Sequence, residues 1–173
     1  MMKKIIGLLI ISTVMILSGC NEDAASTDGD ETPEVDGYRY PTEEVEKAFA
    51  EASFTATLPE RLPIPVAYVV YDHYFLDGVE ILDLSFYSDQ NDLLTIQIKD
   101  GETTACATLE TVQVNGVQEA CFYQSDFVQQ LVVIDQPLIY QIEYRKGMRE
   151  DDAEELYPIE QRHLVEISEA IRS

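Results

Sequence analysis

The chain has 173 residues, which is enough for one domain, and 46% of them are hydrophobic while only 8 are Gly and 7 are Pro. This composition excludes collagen-like, linker-repeat and wholly disordered classes. Lys and Arg number 11 against 33 Asp and Glu, so the formal net charge is −22, which argues against nucleic acid as a partner.

The first twenty residues have the features of a bacterial lipoprotein signal. Lys3-Lys4 forms a positive n-region, and the apolar stretch over 5–17 is shorter than the roughly 20 residues that span a bilayer. Leu17-Ser18-Gly19-Cys20 then resembles the lipobox of bacterial lipoproteins. The resemblance implies a diacylglyceryl group on the Cys20 thiol, removal of the signal peptide 1–19, and a further acyl chain, such as palmitate, on the new amino group.

This lipid anchor predicts a localisation as well as a modification. Two acyl chains give stable anchoring where one does not, so the membrane is a predicted partner and the protein is expected on the extracytoplasmic side of the cell membrane. The alternatives for the same segment are an uncleaved anchor and an ordinary secretory signal.

Residues 20–39 are predicted to be an acidic, flexible tether. Their sequence after the cysteine, NEDAASTDGDETPEVDG, contains too little apolar area to order itself. Asp28 and Asp30 suggest a calcium loop, but Thr32 and Pro33 occupy the fifth and sixth places, where the D-x-D-x-D-G pattern needs Asp and Gly. We therefore predict neither a metal site nor a cofactor.

A single globular domain is predicted for residues 40–173, and it begins with a helix. Thr42 is a candidate N-cap, and acids follow in the first turn, where the helix dipole favours them. Val45, Ala48, Phe49 and Ala52 recur at the spacing of an amphipathic helix.

From Val66 the hydrophobic period changes to two, which predicts strands. The predicted strands are Val66–Phe75, Leu82–Phe86, Leu94–Ile98, Ala105–Val114, Val117–Gln124, Phe127–Ile134 and Leu138–Tyr144. Short turns at Asp77-Gly78 and Asp100-Gly101 separate the earlier strands, and Asn115-Gly116 predicts a two-residue hairpin. Because the connections are short, neighbours in sequence should pair antiparallel.

A last helix is predicted from about Ile159, with an apolar stripe of Leu164, Ile167 and Ile171. The order of helix, about seven strands and helix predicts an α+β fold. We expect an antiparallel meander sheet, curled by its twist toward a half-barrel, with the N-terminal and C-terminal helices packed on one face.

Several segments carry a resemblance to a known family: LPERLPIP, VQVNG, LVVIDQPLIYQIEY and HLVEISEAIRS. They are similar to an uncharacterised domain of unknown function in lipoproteins and sigma-factor regulators of Gram-positive bacteria, over roughly Phe49 to Ser173. The resemblance implies a fold like that of the lipoprotein-carrier half-barrels, and it implies no catalytic residues.

The sequence offers little catalytic chemistry. His73 and His163 have neither Cys nor His at ligand spacing, and phosphate-loop, nucleophile-elbow and zincin motifs do not occur. Adjacent acids such as Asp151-Asp152 and Glu154-Glu155 are expected on the solvated surface of so acidic a chain. The prediction is a protein that is not an enzyme, and an envelope hydrolase using paired carboxylates is the alternative.

Tyrosines cluster on the predicted strands. Tyr68, Tyr71, Tyr140 and Tyr144 are candidate ligand-binding residues, because an aromatic-lined groove would suit an apolar, sugar or peptide ligand. The alternative is that they pack within the sheet of a protein without Trp.

With Cys20 lipidated, Cys106 and Cys121 form an even pair in a compartment that permits disulfides. In a regular Asn115-Gly116 hairpin the two thiols would be about 13 Å apart along the strands, which is too far for a bond. A disulfide therefore predicts that the ladder breaks before Leu109 and the chain folds back. Two buried free thiols are the alternative.

These observations predict a non-enzymatic binding or regulatory module of the cell envelope whose partner is an envelope protein or a small apolar ligand. The alternative is a carrier that shelters an acyl chain in a half-barrel.

Overall fold

A computed structural model describes residues 37–101, 105–148 and 158–171 of the chain. Over these residues the protein is α+β, with a seven-stranded antiparallel sheet, two α-helices and a small two-stranded sheet. The helices are α1 (Glu43–Glu51) and α2 (Gln161–Ala170). The strands are β1 (Tyr38–Arg39), β2 (Arg61–Leu62), β3 (Val66–Leu76), β4 (Val79–Ser88), β5 (Leu93–Asp100), β6 (Glu110–Thr111), β7 (Glu119–Gln124), β8 (Val128–Asp135) and β9 (Leu138–Arg145).

The large sheet has the order β3-β4-β5-β9-β8-β7-β6. Neighbours in sequence pair antiparallel, as predicted, everywhere except between β5 and β6. The sheet is therefore two meanders joined by pairing of β5 with β9 rather than one continuous meander. This places β3 and β6 at opposite edges of the sheet.

Both helices pack on the same face of the sheet, which we call the covered face. Alternate residues of β4, β5 and β9 on this face are buried, and Leu84, Ile96 and Ile142 among them have no solvent exposure. They share one core with Val45 and Ala48 of α1, with Leu164 and Ile167 of α2, and with the segment that contains Leu62 and Ile64. The prediction of two helices on one face is confirmed.

The half-barrel prediction is wrong, because the sheet is neither closed nor strongly curled. Helix α1 lies against β3 and β4, whereas α2 lies against β8 and β9. The covered face is thus filled across its width by two separate helices. Its apolar side chains are buried without the sheet having to wrap around one helix.

The helix ends differ in part from the expected capping. Thr42 precedes α1, but its hydroxyl donates to Glu46 Oε1 at 3.0 Å rather than capping the backbone. Helix α2 begins at Gln161, two positions after the predicted Ile159, because Glu160 and His163 form a reciprocal capping box. No described helix is long and apolar enough to cross a membrane.

The described fold begins before the boundary predicted at residue 40. Tyr38 and Arg39 form β1 and pair with β2. The Tyr40 hydroxyl donates to the Pro59 carbonyl at 2.8 Å, and its ring packs edge-on against Phe86 at 5.3 Å. Burial raises the pKa of Tyr40 to about 12, with a smaller contribution from Glu60.

The prediction of one strand over Ala105–Val114 is wrong. The chain forms a 3₁₀ turn over Ala105–Thr108 and then only the two-residue β6. The predicted break before Leu109 is thus present, and it brings Cys106 and Cys121 together in a disulfide with Cα atoms 5.4 Å apart.

Asn115-Gly116 also departs from the two-residue hairpin. Thr111 pairs with Cys121, one residue away from the predicted register, in which Glu110 would face Cys121. A type I′ turn needs positive φ at both central residues, and here only Gly116 has it (φ 79°). The Asn115 side chain and backbone instead donate to Glu169 of α2, at 2.8 and 3.0 Å.

Candidate binding surface

The second face of the sheet, which we call the open face, is polar at its centre. The buried residues of the two helices pack in the core on the covered face. Two adjacent cross-strand rows of the open face, on β4, β5 and β9, are Asp83, Gln97 and Gln141 in one row and Ser85, Thr95 and Glu143 in the next. All six side chains are half-buried, so they lie in the sheet surface and remain accessible.

Hydrogen bonds hold some of these side chains in place. Gln97 Nε2 donates to Asp83 Oδ2 at 2.9 Å, and Gln130 Nε2 on β8 donates to Glu143 Oε2 at 2.8 Å. Cross-strand pairs of this kind fix side-chain direction on a sheet. The open face therefore presents an ordered set of amide and carboxylate groups that can bind a polar surface.

One end of the open face carries a disulfide-linked cover. Cys121, Val132 and Ile139 form a small buried cluster there, against which Cys106 and Leu109 pack. The 3₁₀ turn is thus pinned over the β7 side of the open face, and the polar rows remain beside it. The disulfide thus holds a cover over part of the open face, and the part that remains exposed begins beside it.

The β3 side of the open face is aromatic. Tyr68 stacks on Tyr87 of β4, with ring centroids 4.7 Å apart and an interplanar angle of 11°. Tyr74 and Val70 lie on the same face of β3 and are exposed. The polar rows are therefore bordered by an exposed apolar strip.

The structure places the four candidate tyrosines in different environments. Tyr68 is exposed on the open face, whereas Tyr140 and Tyr144 of β9 are buried in the core of the covered face. Tyr71 also lies on the covered face, where its hydroxyl donates to Glu51 of α1 at 3.0 Å and this bond raises its pKa. These tyrosines do not line one groove.

Sequence reasoning missed a polar cluster between α1 and the β3–β4 hairpin. Glu80 is buried, and its Oε1 accepts from the Ser53 backbone N–H at 2.8 Å and lies 2.8 Å from His73 Nε2. The Ser53 hydroxyl donates to the other carboxylate oxygen. This bond is the main cause of a Glu80 pKa below its ordinary value of 4.5, to which the backbone N–H and His73 also contribute against the opposing effect of burial.

The order of groups in this cluster decides its chemistry. Nucleophilic catalysis needs the histidine next to the serine hydroxyl, so that it can accept the proton. Here Glu80 lies between Ser53 and His73, so the arrangement fastens the end of α1 to the sheet. Hairpin register could have revealed it, because the predicted Asp77-Gly78 turn puts His73 and Glu80 on one face.

His163 also has a structural partner. Its Nδ1 accepts from the backbone N–H of Glu160 at 3.0 Å, as part of the α2 capping box. It borders a cavity of about 470 Å³ whose lining includes Tyr38, Pro63, Arg162 and Glu166. Arg162, one of the lining residues, is paired with Glu160, which precedes α2, at 2.9 Å.

Some predicted features lie outside the described residues. These are the lipid-attachment residue Cys20, the acids considered for calcium, and the paired carboxylates Asp151-Asp152 and Glu154-Glu155. Within residues 37–101, 105–148 and 158–171, no group of three or more His, Cys, Asp or Glu is placed to hold a metal ion.

Comparison of the chain with protein-family models, with curated proteins and with solved structures found no match. The family resemblance drawn from sequence segments therefore stays a prediction.

Proposed function

We propose that this chain is a lipoprotein anchored through Cys20 on the extracytoplasmic side of the cell membrane, and that its domain is a non-enzymatic binding or regulatory module of the cell envelope. The signal-like residues 1–19 and the lipobox support the anchor. The acidic residues 21–36 give the domain a solvated spacer from the membrane.

The binding role is inferred from the difference between the two faces of the sheet. The covered face buries its apolar residues under α1 and α2, while the open face holds half-buried Gln, Thr, Asp and Glu side chains beside an exposed aromatic strip. The exposed Tyr68 and Tyr74 supply the residue type that protein interfaces are enriched in, and the polar rows beside them have the character of an interface's polar rim.

The Cys106–Cys121 disulfide supports the proposed location. Such bonds persist outside the reducing cytosol, and this one joins elements that only a broken strand brings together. Its formation therefore accords with folding after export.

The observations favour this role over an acyl carrier. A carrier needs a concave apolar chamber, whereas the covered face is filled by side chains with no exposure, such as Leu82, Phe86 and Ile98. The hydrolase alternative needs a pair of carboxylates in the right geometry, and the adjacent acids that the sequence offers as examples, Asp151-Asp152 and Glu154-Glu155, lie outside the described residues.

Site-specific photo-crosslinking in intact membranes tests the binding role. A benzoylphenylalanine at Thr95 or Gln141 would probe the open face, and the same residue at exposed Glu46 of α1 is the matched control. We expect a discrete protein adduct from both open-face positions and none from position 46. Equal labelling at position 46, or no adduct from the open face, would contradict the proposal.

The anchor is tested by Cys20→Ser in the full chain. We expect this variant to move from the detergent phase to the aqueous phase in a phase-partition assay, because it cannot carry the acyl chains that contribute roughly 0.8 kcal/mol per buried methylene. Ser18→Ala keeps a small residue before the cysteine and should partition like wild type. Unchanged partitioning of Cys20→Ser would show that the lipid is not attached there.

A further inference from the structure

Strand β3 is the long edge strand of the large sheet. It runs for 11 residues and, among the strands of the described residues, pairs only with β4. The opposite edge strand, β6, has only two residues. A strand edge carries backbone N–H and C=O groups that can pair with a further strand, so β3 offers a long template for strand addition.

This edge is also apolar and exposed. Tyr68 is 53% exposed and Phe75 is 66% exposed, and the exposed large hydrophobic residues on the strand also include Val70, Tyr74 and Leu76. Natural edge strands are commonly protected by Lys, Pro, bulges or short length. The strand has neither Lys nor Pro, and its irregularity lies at its start, between Val66 and Tyr68, so the stretch from Tyr68 to Leu76 is regular.

The charges around the β3 edge indicate which kind of segment can bind there. The exposed charged residue within this stretch is Asp72, and Asp77 follows in the turn. A second copy of the chain would bring another formal charge of −22 to the same edge. Two of the chain's own segments outside the described residues, NEDAASTDGDETPEVD and REDDAEELY, are strongly acidic as well, and the basic Lys3-Lys4 lies in the signal-like segment whose removal is proposed. Like charges therefore oppose both of these occupants.

A basic segment would instead meet favourable groups. Tyr68 and Tyr74 are exposed on the same face as Asp72, and Tyr68 is stacked on Tyr87. Lys or Arg is attracted both to a carboxylate and to the face of an aromatic ring. On the covered face, side chains of β3 already contact α1, as Tyr71 does through its bond to Glu51. A bound segment would therefore be recognised by the β3 side chains on the open face.

We propose that the β3 edge binds an extended, basic segment of an envelope protein by strand addition. The segment places Lys or Arg opposite Asp72 and apolar side chains opposite Val70 and Tyr74, two residues to either side. This inference rests on the proposed function and deepens it, because it gives the binding module a site and its partner a chemistry.

The test uses the full chain in detergent micelles and a fluorescent, amidated peptide with the order Lys-Thr-Val-Thr repeated over about ten residues. Two control peptides replace every Lys by Glu or the central Thr by Pro, which removes a backbone donor. We expect saturable binding of the Lys peptide, measured by anisotropy, and binding at least about fivefold weaker for the Pro peptide. Equal affinity for the Pro peptide would mean attraction by charge alone and would overturn strand addition.

Variants locate the binding site. Val70→Lys places a like charge beside the peptide and should weaken binding by about fivefold or more. Phe127→Lys makes the same charge change at an exposed apolar residue in the β7–β8 connection and should leave the affinity unchanged. Asp72→Asn alters no core residue and should weaken binding by about twofold to fivefold. It replaces Val70→Lys as the test of the site if Val70→Lys does not fold. Equal weakening by Phe127→Lys would overturn the site.

Two further outcomes separate the hypotheses. Concentration-dependent dimerisation that Val70→Lys abolishes would mean that a second copy occupies the edge, and would overturn the basic partner. Open-face adducts in membranes without edge-dependent peptide binding would overturn the edge proposal alone. Edge-dependent binding without such adducts would overturn only the proposed function.

Discussion

Single buried carboxylates fasten the peripheral segments of this domain to its sheet. Glu80 links the end of α1 to β3 through Ser53 and His73. Asp92 is fully buried after β4, and its Oδ1 accepts the Gly147 N–H at 2.9 Å. Each carboxylate receives hydrogen bonds from a different segment of chain, so its loss should loosen a specific segment rather than the whole core.

We expect Glu80→Gln to lower the free energy of unfolding at pH 7 by about 1–3 kcal/mol, because it removes a charged acceptor of several hydrogen bonds. The folded-state pKa of Glu80 lies below 4.5, so the stability from its ionised form is present above that value and is lost as the pH falls through the folded-state pKa. The difference between wild type and Glu80→Gln, measured by urea unfolding, should therefore shrink below about pH 4.5.

Glu119→Gln is the control for this prediction. Glu119 is exposed on β7, and the same chemical change there should alter the unfolding free energy by less than about 0.5 kcal/mol. A constant difference between wild type and Glu80→Gln from pH 7 to pH 3 would contradict the assigned role of the Glu80 charge.

Gly147 is required by close packing rather than by backbone conformation. A Cβ at this position would lie 2.9 Å from the Asn91 carbonyl carbon and closer still to the Gln90 carbonyl oxygen, both of which are backbone atoms. We expect Gly147→Ala to destabilise the protein by about 1–3 kcal/mol in urea unfolding. Met148→Ala, at an adjacent residue that is 93% exposed, should have almost no effect, and equal effects would refute this packing argument.

At the scale of elements, the Cys106–Cys121 bond takes the place of a regular strand pair. It closes a sequence separation of 15 residues and holds the 3₁₀ turn on β7. We expect Cys106→Ala/Cys121→Ala to lower the free energy of unfolding by about 3 kcal/mol in the chain-entropy account of disulfides. Urea unfolding of the double variant and of wild type measures the loss.

Wild type with a reducing agent provides the control. Reduction should lower its midpoint toward that of the double variant and leave the double variant unchanged. Equal midpoints for oxidised wild type and the double variant would show that the bond adds no stability.

The elements also show what the sequence can predict. Strands β4, β5 and β9 follow from alternation, because a face buried under helices requires it, whereas β3 was predicted from its Val and Tyr content and β8 from a continuous apolar run. The pairing of β5 with β9 could not be predicted in this way, because alternation identifies a strand and leaves its long-range neighbour open. Asn115-Gly116 correctly predicted that the chain turns back between β6 and β7 but not the form of the turn, in which Asn115 binds Glu169, 54 residues away.

The candidate site was less predictable than the fold. Four tyrosines share strand positions and residue type, yet Tyr140 is buried and Tyr68 is exposed. Tyr140 is buried because it lies on the face that the helices cover. Which face that is depends on the packing of α1 and α2. The polar rows of the open face were visible as Asp, Gln and Thr between apolar residues, but their alignment required the cross-strand register.

At the scale of the whole molecule, self-repulsion is the dominant electrostatic effect. The proposed removal of residues 1–19 would take away Lys3 and Lys4 and no acid, which would change the formal net charge from −22 to −24. The described ion pairs on the surface, such as Lys47 with Glu44 and Arg162 with Glu160, are exposed, so each stabilises the fold little. In the proposed location, so acidic a domain would also be repelled by anionic membrane surfaces.

This self-repulsion predicts that added salt stabilises the domain. Screening acts within about 10 Å at 0.1 M, and relief of about 1 kcal/mol should raise the melting temperature by about 4 °C between roughly 0.02 M and 0.5 M NaCl. A Glu110→Gln/Glu119→Gln variant removes two exposed acids and should gain less from the same salt. Calorimetry with CaCl₂ at matched ionic strength should give the same rise, since screening depends on ionic strength. A larger rise with calcium would mean that the acids bind the ion specifically, and a fall with NaCl would mean that ion pairs outweigh repulsion.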